Sequence, residues 1–165
     1  GGVPMTLAGL VRSIRRRGGN RGSFVTIEDM TSQIEVAVSD ETFALYADAL
    51  IKDEIVVVDG NVSADSFSGG YRMAAQKIRT LAAARQEFAR GVQISLRGCD
   101  SAVCEALEAA FLPYRKGRAR VLIDYSNSRA RARLELGTDW GVSPCEELLA
   151  ALSGLDVVSD ARLVY

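Results

Sequence analysis

Five arginines surround a glycine-rich turn near the start of the sequence. Arg15, Arg16, Arg17 and Arg21 lie within SIRRRGGNRGSFVTIED, and Arg12 stands just ahead of it. Clustered guanidinium groups attract phosphates, and glycines let a sugar-phosphate chain approach the backbone closely. We therefore predict that this edge binds nucleic acid, provided that the side chains share one side and are not paired with acidic neighbours. The alternative is a solvated basic hairpin tip, because residues 6–91 carry 11 basic and 11 acidic side chains.

Aromatic side chains near these arginines could stack on bases. Phe24 and Tyr71 each begin a predicted strand, and Phe67 lies between two serines on the turn before Tyr71. Base stacking on such rings is tolerant of sequence. Arg72, next to Tyr71, completes the candidate site. For each ring the alternative is a place in the core, which is harder to argue for Phe67.

Several kinds of chemistry are excluded or disfavoured by composition. The chain has no histidine, which removes Ser-His-Asp triads and the commonest zinc ligand. Its three cysteines are wrongly spaced for a zinc knuckle, so we predict buried thiols in a reducing compartment. GGNRG is not followed by the Gly-Lys-Ser/Thr of a phosphate-binding loop. We predict no catalytic residue, no metal and no cofactor in this chain.

Composition also indicates the class of protein. With 165 residues, 48% of them apolar and 25% charged, the chain suits one domain or two small ones. No run approaches the roughly 20 apolar residues that cross a bilayer, so we expect a cytoplasmic protein without a membrane partner. Gly1 and Gly2 resemble a cloning scar, and the missing initiator Met suggests a piece of a longer chain.

Short strands with period-two alternation dominate the first half. The predicted strands are 6–17, 24–29, 34–38, 54–62 and 71–78, with a helix capped by Asp40 between the third and the fourth. This order is that of the OB-fold, a five-stranded Greek-key β-barrel that holds oligonucleotides or sugars. Gly9 and Gly60 are expected where a barrel strand bends or carries a bulge.

A small α+β domain is predicted to follow the barrel. We expect the barrel over 5–80, a helical linker over 81–91 and the second domain over 92–165. The second domain should contain strand 92–96, a helix with an apolar stripe over 103–114, a hairpin over 119–125 and 130–136, and a last strand 161–164. SPCE, with Ser143 as cap and Pro144 at the first helical position, predicts a helix that ends at Gly154.

One strand of the second domain carries a row of arginines. Arg129, Arg131 and Arg133 share a face and could dock an acidic protein surface or bind phosphate. A solvated face partly neutralised by Glu135 is the alternative. Trp140 could anchor a partner or cover the end of the core.

At this point the sequence resembles a known family, the alpha subunit of bacterial DNA polymerase III. The resemblance rests on LAGLV, GNRGSFVTIED, DEIVVVDGNVSADSFSGGYRM and ARQEFARGVQISL, and then on PYRKG, RARLELG and WGVSP, from about Thr6 to Tyr165. It implies an OB domain near single-stranded template and a last domain that binds the tau subunit of the clamp loader. It also implies catalytic aspartates far upstream, outside this chain.

This sequence differs from the family in two places, which limits the functions that the resemblance implies. The loop 17–22 is shorter than in relatives, and the tail DARLVY lacks the glutamine of a peptide that binds the sliding clamp. Clamp binding is therefore not assigned to the tail. Two alternatives to DNA binding stay open: a pure protein-interaction module of the replisome, and the anticodon-binding OB domain of a synthetase. The synthetase is less favoured because no synthetase catalytic domain follows the barrel.

Overall fold

The computed structural model describes residues 2–19 and 22–165, which form two compact units. The first unit ends at Ala84 and the second comprises Arg85–Tyr165. The boundary between them falls inside the segment 81–91 for which the sequence predicts a linking helix. Within the described ranges, no helix is both long enough and apolar enough to cross a membrane.

In the described part of the first unit, five strands close into a barrel. They are β1 Val3–Arg16, β2 Ser23–Glu28, β3 Gln33–Val38, β4 Ile55–Ala64 and β5 Tyr71–Thr80. Neighbouring strands follow the order β1-β2-β3-β5-β4, and β4 pairs again with β1. Helix α1, Asp40–Leu45, and a 3-10 turn, Ala47–Ala49, connect β3 to β4. This topology is the OB-fold, which confirms the predicted fold class.

Alternation along the strands separates the barrel core from an outer polar face. In β2, Val25 and Ile27 are buried, whereas Phe24, Thr26 and Glu28 are half-buried on the outside. The core is mostly β-branched and is made by Val11, Val25, Ile27, Val36, Val38, Leu50, Val56, Val58, Met73 and Ile78. Because side chains of a strand point alternately to its two faces, a well-filled interior leaves the outer face of β1, β2, β3 and β5 free for other chemistry.

Two bulges interrupt the described part of this barrel. One lies in the β4–β5 ladder opposite Asp59 and Gly60, and its extra residue is Gln76 of β5, so the bulge is not carried by the strand of Gly60 as predicted. A Cβ at Gly60 would lie 2.1 Å from the carbonyl oxygen of Ala74, so the close approach of the two strands requires glycine. The other bulge lies in β1 at Arg12. It adds one residue to the outer side, so that Arg12 and Arg15 can share a face although they are three residues apart.

The predicted cap of helix α1 is wrong. Its cap is Ser39, whose hydroxyl accepts a hydrogen bond from the Thr42 N–H at 3.1 Å, and not Asp40. The helix ends at Leu45, and the chain continues through the 3-10 turn to the buried Leu50. Phe43, Tyr46 and Ala49 of this connection pack against the barrel core.

In the described second unit, a four-stranded sheet packs against two helices. Its elements are α2 Leu81–Phe88, which crosses the unit boundary, β6 Gly91–Arg97, α3 Ser101–Phe111, β7 Arg115–Ser126, β8 Arg131–Glu135, α4 Glu146–Ser153 and β9 Val158–Val164. The strand order is β8-β7-β6-β9, with β6 and β7 parallel. Val92, Ile94 and Leu96 of β6 are buried with Phe111 of α3 and Leu148 of α4. The predicted small α+β unit is confirmed.

The predicted capping box at SPCE is wrong. Helix α4 begins at Glu146, after a Cys145 cap that makes no side-chain hydrogen bond. The Ser143 N–H donates to the Tyr114 carbonyl oxygen at 2.8 Å, so this backbone is tied to another segment and does not enter the helix. The end of the helix at Gly154 was predicted correctly.

Candidate nucleic-acid interface

The arginines of β1 point to opposite sides of the strand. Arg15 is paired across the ladder with Phe24 on the outer face, whereas Arg16 is paired with the buried Ser23. The Arg16 guanidinium lies 4.9 Å from the centroid of the Phe43 ring of α1. Successive strand residues alternate in direction, so two neighbouring arginines cannot both reach the outer face. The prediction that all of them share one side is therefore wrong for Arg16.

Most of the arginines on the outer face are paired with carboxylates. Arg12 Nε is 2.9 Å from Glu28 Oε1, and Arg15 Nη2 is 2.5 Å from Glu35 Oε2. Arg72 Nη2 reaches the other Glu35 oxygen at 2.9 Å, so Glu35 bridges β1 and β5. The expectation of unpaired guanidinium groups is wrong at these three positions. Such exposed pairs contribute only about 0–1 kcal/mol, so a phosphate can replace the carboxylate.

The Phe24 ring is already covered by guanidinium groups. Arg17 lies 4.6 Å and Arg72 4.9 Å from its centroid. A base that stacked on a covered face of Phe24 would have to displace the guanidinium that lies on that face. Arg17 forms no ion pair with any residue that the structure describes. A stacked guanidinium can present its other planar face to a base, so the Arg17–Phe24–Arg72 cluster is itself a stacking surface.

Two exposed aromatic rings lie at the turn between β4 and β5. Phe67 is 97% exposed on that turn, and Tyr71, which begins β5, is 71% exposed. Asp65 shapes the turn by accepting hydrogen bonds from the Ser68 hydroxyl at 2.7 Å and from the Phe67 N–H at 3.2 Å. These bonds, with the positive charge of Arg72, hold the pKa of Asp65 below its ordinary value. Both rings lie outside the core, as base stacking requires.

A groove of about 590 Å³ crosses this outer face. It brings together Arg12 and Arg15 of β1 and Tyr71 of β5. Ser13 and Thr26 also line the groove, and their hydroxyl oxygens are 3.1 Å apart in a hydrogen bond. Guanidinium groups, hydroxyls and an exposed ring in one groove are the side-chain types that hold single-stranded nucleic acid.

Sequence reasoning missed the acidic partners. Glu28 belongs to the hairpin of β1 and β2, and the register of that hairpin would have placed it near Arg12. Glu35 meets Arg72 through the parallel β3–β5 pairing, which joins segments far apart in the chain. No pattern of neighbouring residues predicts the contact between Glu35 and Arg72.

The loop between β1 and β2 is described only in part. Arg21, a predicted phosphate contact, lies outside the described residues. The Arg17 N–H donates to the Gly22 carbonyl oxygen at 2.9 Å and closes the loop. Gly22 has a φ of 88°, and a Cβ there would lie 2.3 Å from the Val38 carbonyl oxygen. Glycine is therefore required at this position.

In the second unit, the predicted arginine row is partly neutralised. Arg133 Nε donates to Asp124 Oδ1 at 2.6 Å. This bond, followed by the bond from Gln93, lowers the pKa of Asp124 from its ordinary value. Arg131 is exposed on the edge strand β8, and Arg129 lies on the turn before it. The arrangement leaves Arg129 and Arg131 as the accessible members of the predicted docking row.

Trp140 lies at the edge of the second core. Its half-buried ring packs against the core residues, and the Arg115 guanidinium lies 4.5 Å from the ring centroid. Of the two roles that the sequence leaves open, this position favours covering the core over anchoring a partner.

The cysteines differ from prediction. Cys99 and Cys104 are exposed and Cys145 is half-buried, so the prediction of buried thiols is wrong for the first two. Cys99 and Cys104 lie at the surface of the second unit, where the chain passes from β6 into α3.

Comparison with known proteins gives a consistent result. Residues 5–81 match a family model described as an OB-fold nucleic acid binding domain, and residues 106–155 match the DNA polymerase III subunit alpha, C-terminal domain. The DNA polymerase III subunit alpha of Vibrio cholerae is 39% identical over 156 residues, and that of Escherichia coli K12 is 38% identical over 159 residues. These alignments cover 92% and 93% of this chain. The chain belongs to the DNA polymerase III alpha-subunit family.

This chain spans 14% of the length of those two relatives. The resemblance stated from the sequence is thereby confirmed. Among solved structures, asparaginyl-tRNA synthetase from Pyrococcus horikoshii is 30% identical, with 48% of this chain and 20% of that chain covered and a TM-score of 0.42.

Proposed function

We propose that the first unit of this chain binds single-stranded DNA on the outer face of β1, β2, β3 and β5. The observation that carries the proposal is the groove in which Arg12 and Arg15 meet Tyr71. The family model matched by residues 5–81, an OB-fold nucleic acid binding domain, supports it. The bound strand would be held in place near a polymerase active site that lies outside this chain.

Stacking is the main attractive contribution in this proposal. A phosphate that binds Arg12 or Arg15 must replace a carboxylate, which makes the net gain from charge small. Stacking of a base on an exposed ring contributes about 1–3 kcal/mol, and Phe67 and Tyr71 supply two such rings. Binding should therefore be weak and tolerant of sequence, as suits a strand that must slide.

The salt dependence of binding distinguishes this mechanism from binding by a row of unpaired arginines. Five unpaired arginines on one side would give a log-log salt slope of about −3.5, at about 0.7 for each phosphate contact. Because Arg16 faces away and Arg12 and Arg15 are paired, we expect a slope of about −1.4, at about 0.7 for each of the two contacts that remain.

A fluorescence anisotropy titration with a labelled oligo-dT strand, repeated at several salt concentrations, tests the proposal. Tyr71→Ala should weaken binding about 5- to 150-fold, since it removes one stacking ring. Glu35→Gln should tighten binding and steepen the slope by up to about 0.7, because it releases Arg15, whereas Arg72 keeps its ion pair with Asp65 at 3.1 Å. A misfolded variant would not bind more tightly, so this gain is informative.

Arg16→Gln is the control, because it removes a positive charge from β1 on the side away from the candidate groove. It should leave both affinity and slope unchanged. Equal losses in Arg16→Gln and Tyr71→Ala, or weaker binding by Glu35→Gln, would contradict the proposed face.

For the second unit we propose docking onto the tau subunit of the clamp loader. The match of residues 106–155 to the C-terminal domain of the alpha subunit supports this, as do the accessible Arg129 and Arg131. In this proposal the chain tethers and positions, without a catalytic residue of its own, and tethering raises the effective concentration of the partners.

A replisome module that binds protein without touching DNA is the second candidate. The pairing of the outer-face arginines with Glu28 and Glu35 favours it. Titrating the same chain with purified tau subunit and with oligo-dT separates the two. Tau binding that Arg131→Glu weakens, without any DNA binding at millimolar protein, would select the second candidate.

A further inference from the structure

Two exposed thiols lie in contact at the start of α3. The Sγ atoms of Cys99 and Cys104 are 3.3 Å apart. Both side chains are exposed, so a small molecule can reach either sulfur. Cys104 belongs to the first turn of α3, and Cys99 precedes its cap, Asp100.

The backbone on both sides of this pair is anchored. Before it, the Gly98 N–H donates to the Ser126 carbonyl oxygen at 3.0 Å. After it, the Asp100 side chain accepts from the Val103 N–H at 2.9 Å, and the Asp100 carbonyl accepts from the Cys104 N–H at 3.1 Å. The two sulfurs are thus held close by the fold, since both residues sit on fixed backbone.

We propose that Cys99 and Cys104 form a thiol–disulfide exchange site, which closes to an intramolecular disulfide when it meets a small-molecule disulfide. Closing the bond requires the sulfurs to approach from 3.3 Å to about 2.05 Å, a distance that side-chain rotation can cover. The bond would tie the end of β6 to the first turn of α3.

The exchange is balanced in atoms and electrons. One cysteine thiolate attacks a sulfur of the small disulfide, forms a mixed disulfide and releases one small thiolate. The second cysteine loses its proton to solvent and attacks the first protein sulfur, which releases the second small thiolate. The protein dithiol is oxidised by two electrons, and the small disulfide is reduced by the same two and takes up the two protons.

The two sulfurs fit a metal site less well than they fit thiol–disulfide exchange. Zinc needs four ligands, and in the described ranges no three His, Cys, Asp or Glu side chains are grouped so that they could hold a metal ion. The neighbouring Cys104 thiol, with some burial, raises the pKa of Cys99, so this sulfur is a thiol at neutral pH. Exchange should therefore accelerate as the pH rises, because the thiolate is the attacking species.

The test uses the full chain with oxidised glutathione as probe, followed by iodoacetamide labelling and intact mass spectrometry. The closed species should be lighter by two hydrogen atoms and should retain one labelled thiol, Cys145. Peptide mapping should find Cys99 linked to Cys104, and reduced glutathione should reverse the bond.

Cys104→Ser is expected to stop at a mixed disulfide, with one glutathione on Cys99. Cys145→Ser is the matched control and should close as the natural chain does, because Cys145 is not part of the pair. Persistent glutathione adducts on both Cys99 and Cys104 of the natural chain, a bond to Cys145, or three thiols that all remain labelled would each overturn the proposal.

Discussion

Asp59 on β4 receives hydrogen bonds from both strands beside it. Arg79 Nη2 of β5 donates at 2.5 Å, and the Thr6 hydroxyl of β1 donates at 2.8 Å. The Arg79 side chain is 6% exposed, so its charge has little access to solvent. The bond from Arg79, and then the bond from Thr6, lowers the pKa of Asp59. This carboxylate links β4 to β1 and β5 and does not line the candidate groove, so we expect it to act on stability and not on binding.

Asp59→Asn should lower the free energy of unfolding by about 1–3 kcal/mol at neutral pH, because it weakens a charge-assisted bond to a buried guanidinium. The pKa is depressed in the folded state, so this contribution is present above the unfolded-state pKa of about 3.9 and is lost as the pH falls through the folded-state pKa. The difference between the natural chain and Asp59→Asn should therefore shrink towards acid. Urea titrations at neutral pH and near pH 3 measure it.

Thr6→Val is the matched control, since it removes the weaker bond to the same carboxylate and should cost less than about 1 kcal/mol. An Asp59→Asn effect that is as large in acid as at neutral pH would contradict the assignment.

At the scale of elements, the β4–β5 ladder depends on one glycine. The strands pair over most of their length, and the register shifts between Asp59 and Gly60. At that point the Ala74 carbonyl oxygen lies 2.1 Å from the position that a Cβ on residue 60 would take. The bulge therefore works only if position 60 lacks a side chain.

Gly60→Ala should destabilise the chain by about 1–3 kcal/mol, as overpacking of a close contact does. Gly18→Ala is the control, because a Cβ at Gly18 meets nothing within 4 Å, and it should change stability by no more than about 0.5 kcal/mol. Urea unfolding followed by circular dichroism measures both. Equal stabilities of the two variants would show that the ladder accommodates a methyl group at the bulge.

At the scale of the whole molecule, each unit has a core of its own. The first core is built on Val36 and Met73 of the barrel, and the second on Phe111 and Leu148. Trp140, the sole tryptophan of the sequence, packs against the second core. Its fluorescence therefore reports on the second unit, whereas circular dichroism reports on both.

We expect Gly60→Ala to shift the unfolding of the barrel and to leave the tryptophan transition unchanged. Circular dichroism should then show a lower midpoint for part of the signal, and Trp140 fluorescence should keep the midpoint of the natural chain. A shift of equal size in both signals would mean that the two units unfold as one cooperative body.

The sequence by itself determined the five strands, the helix between the third and the fourth, and the family. Alternation and apolar spacing are properties of consecutive residues, so they can be read without the fold. It could not determine the cap of α4, where Ser143 is bound by a distant carbonyl oxygen.

Only the tertiary structure decided which arginines act together. A single bulge at Arg12 sets which side chains of β1 face outward, and the β3–β5 pairing brings Glu35 to Arg72. Exposure of Cys99 and Cys104 was decided in the same way, by where α3 begins. These outcomes depend on register and on contacts between distant segments, which the order of residues along one strand does not contain.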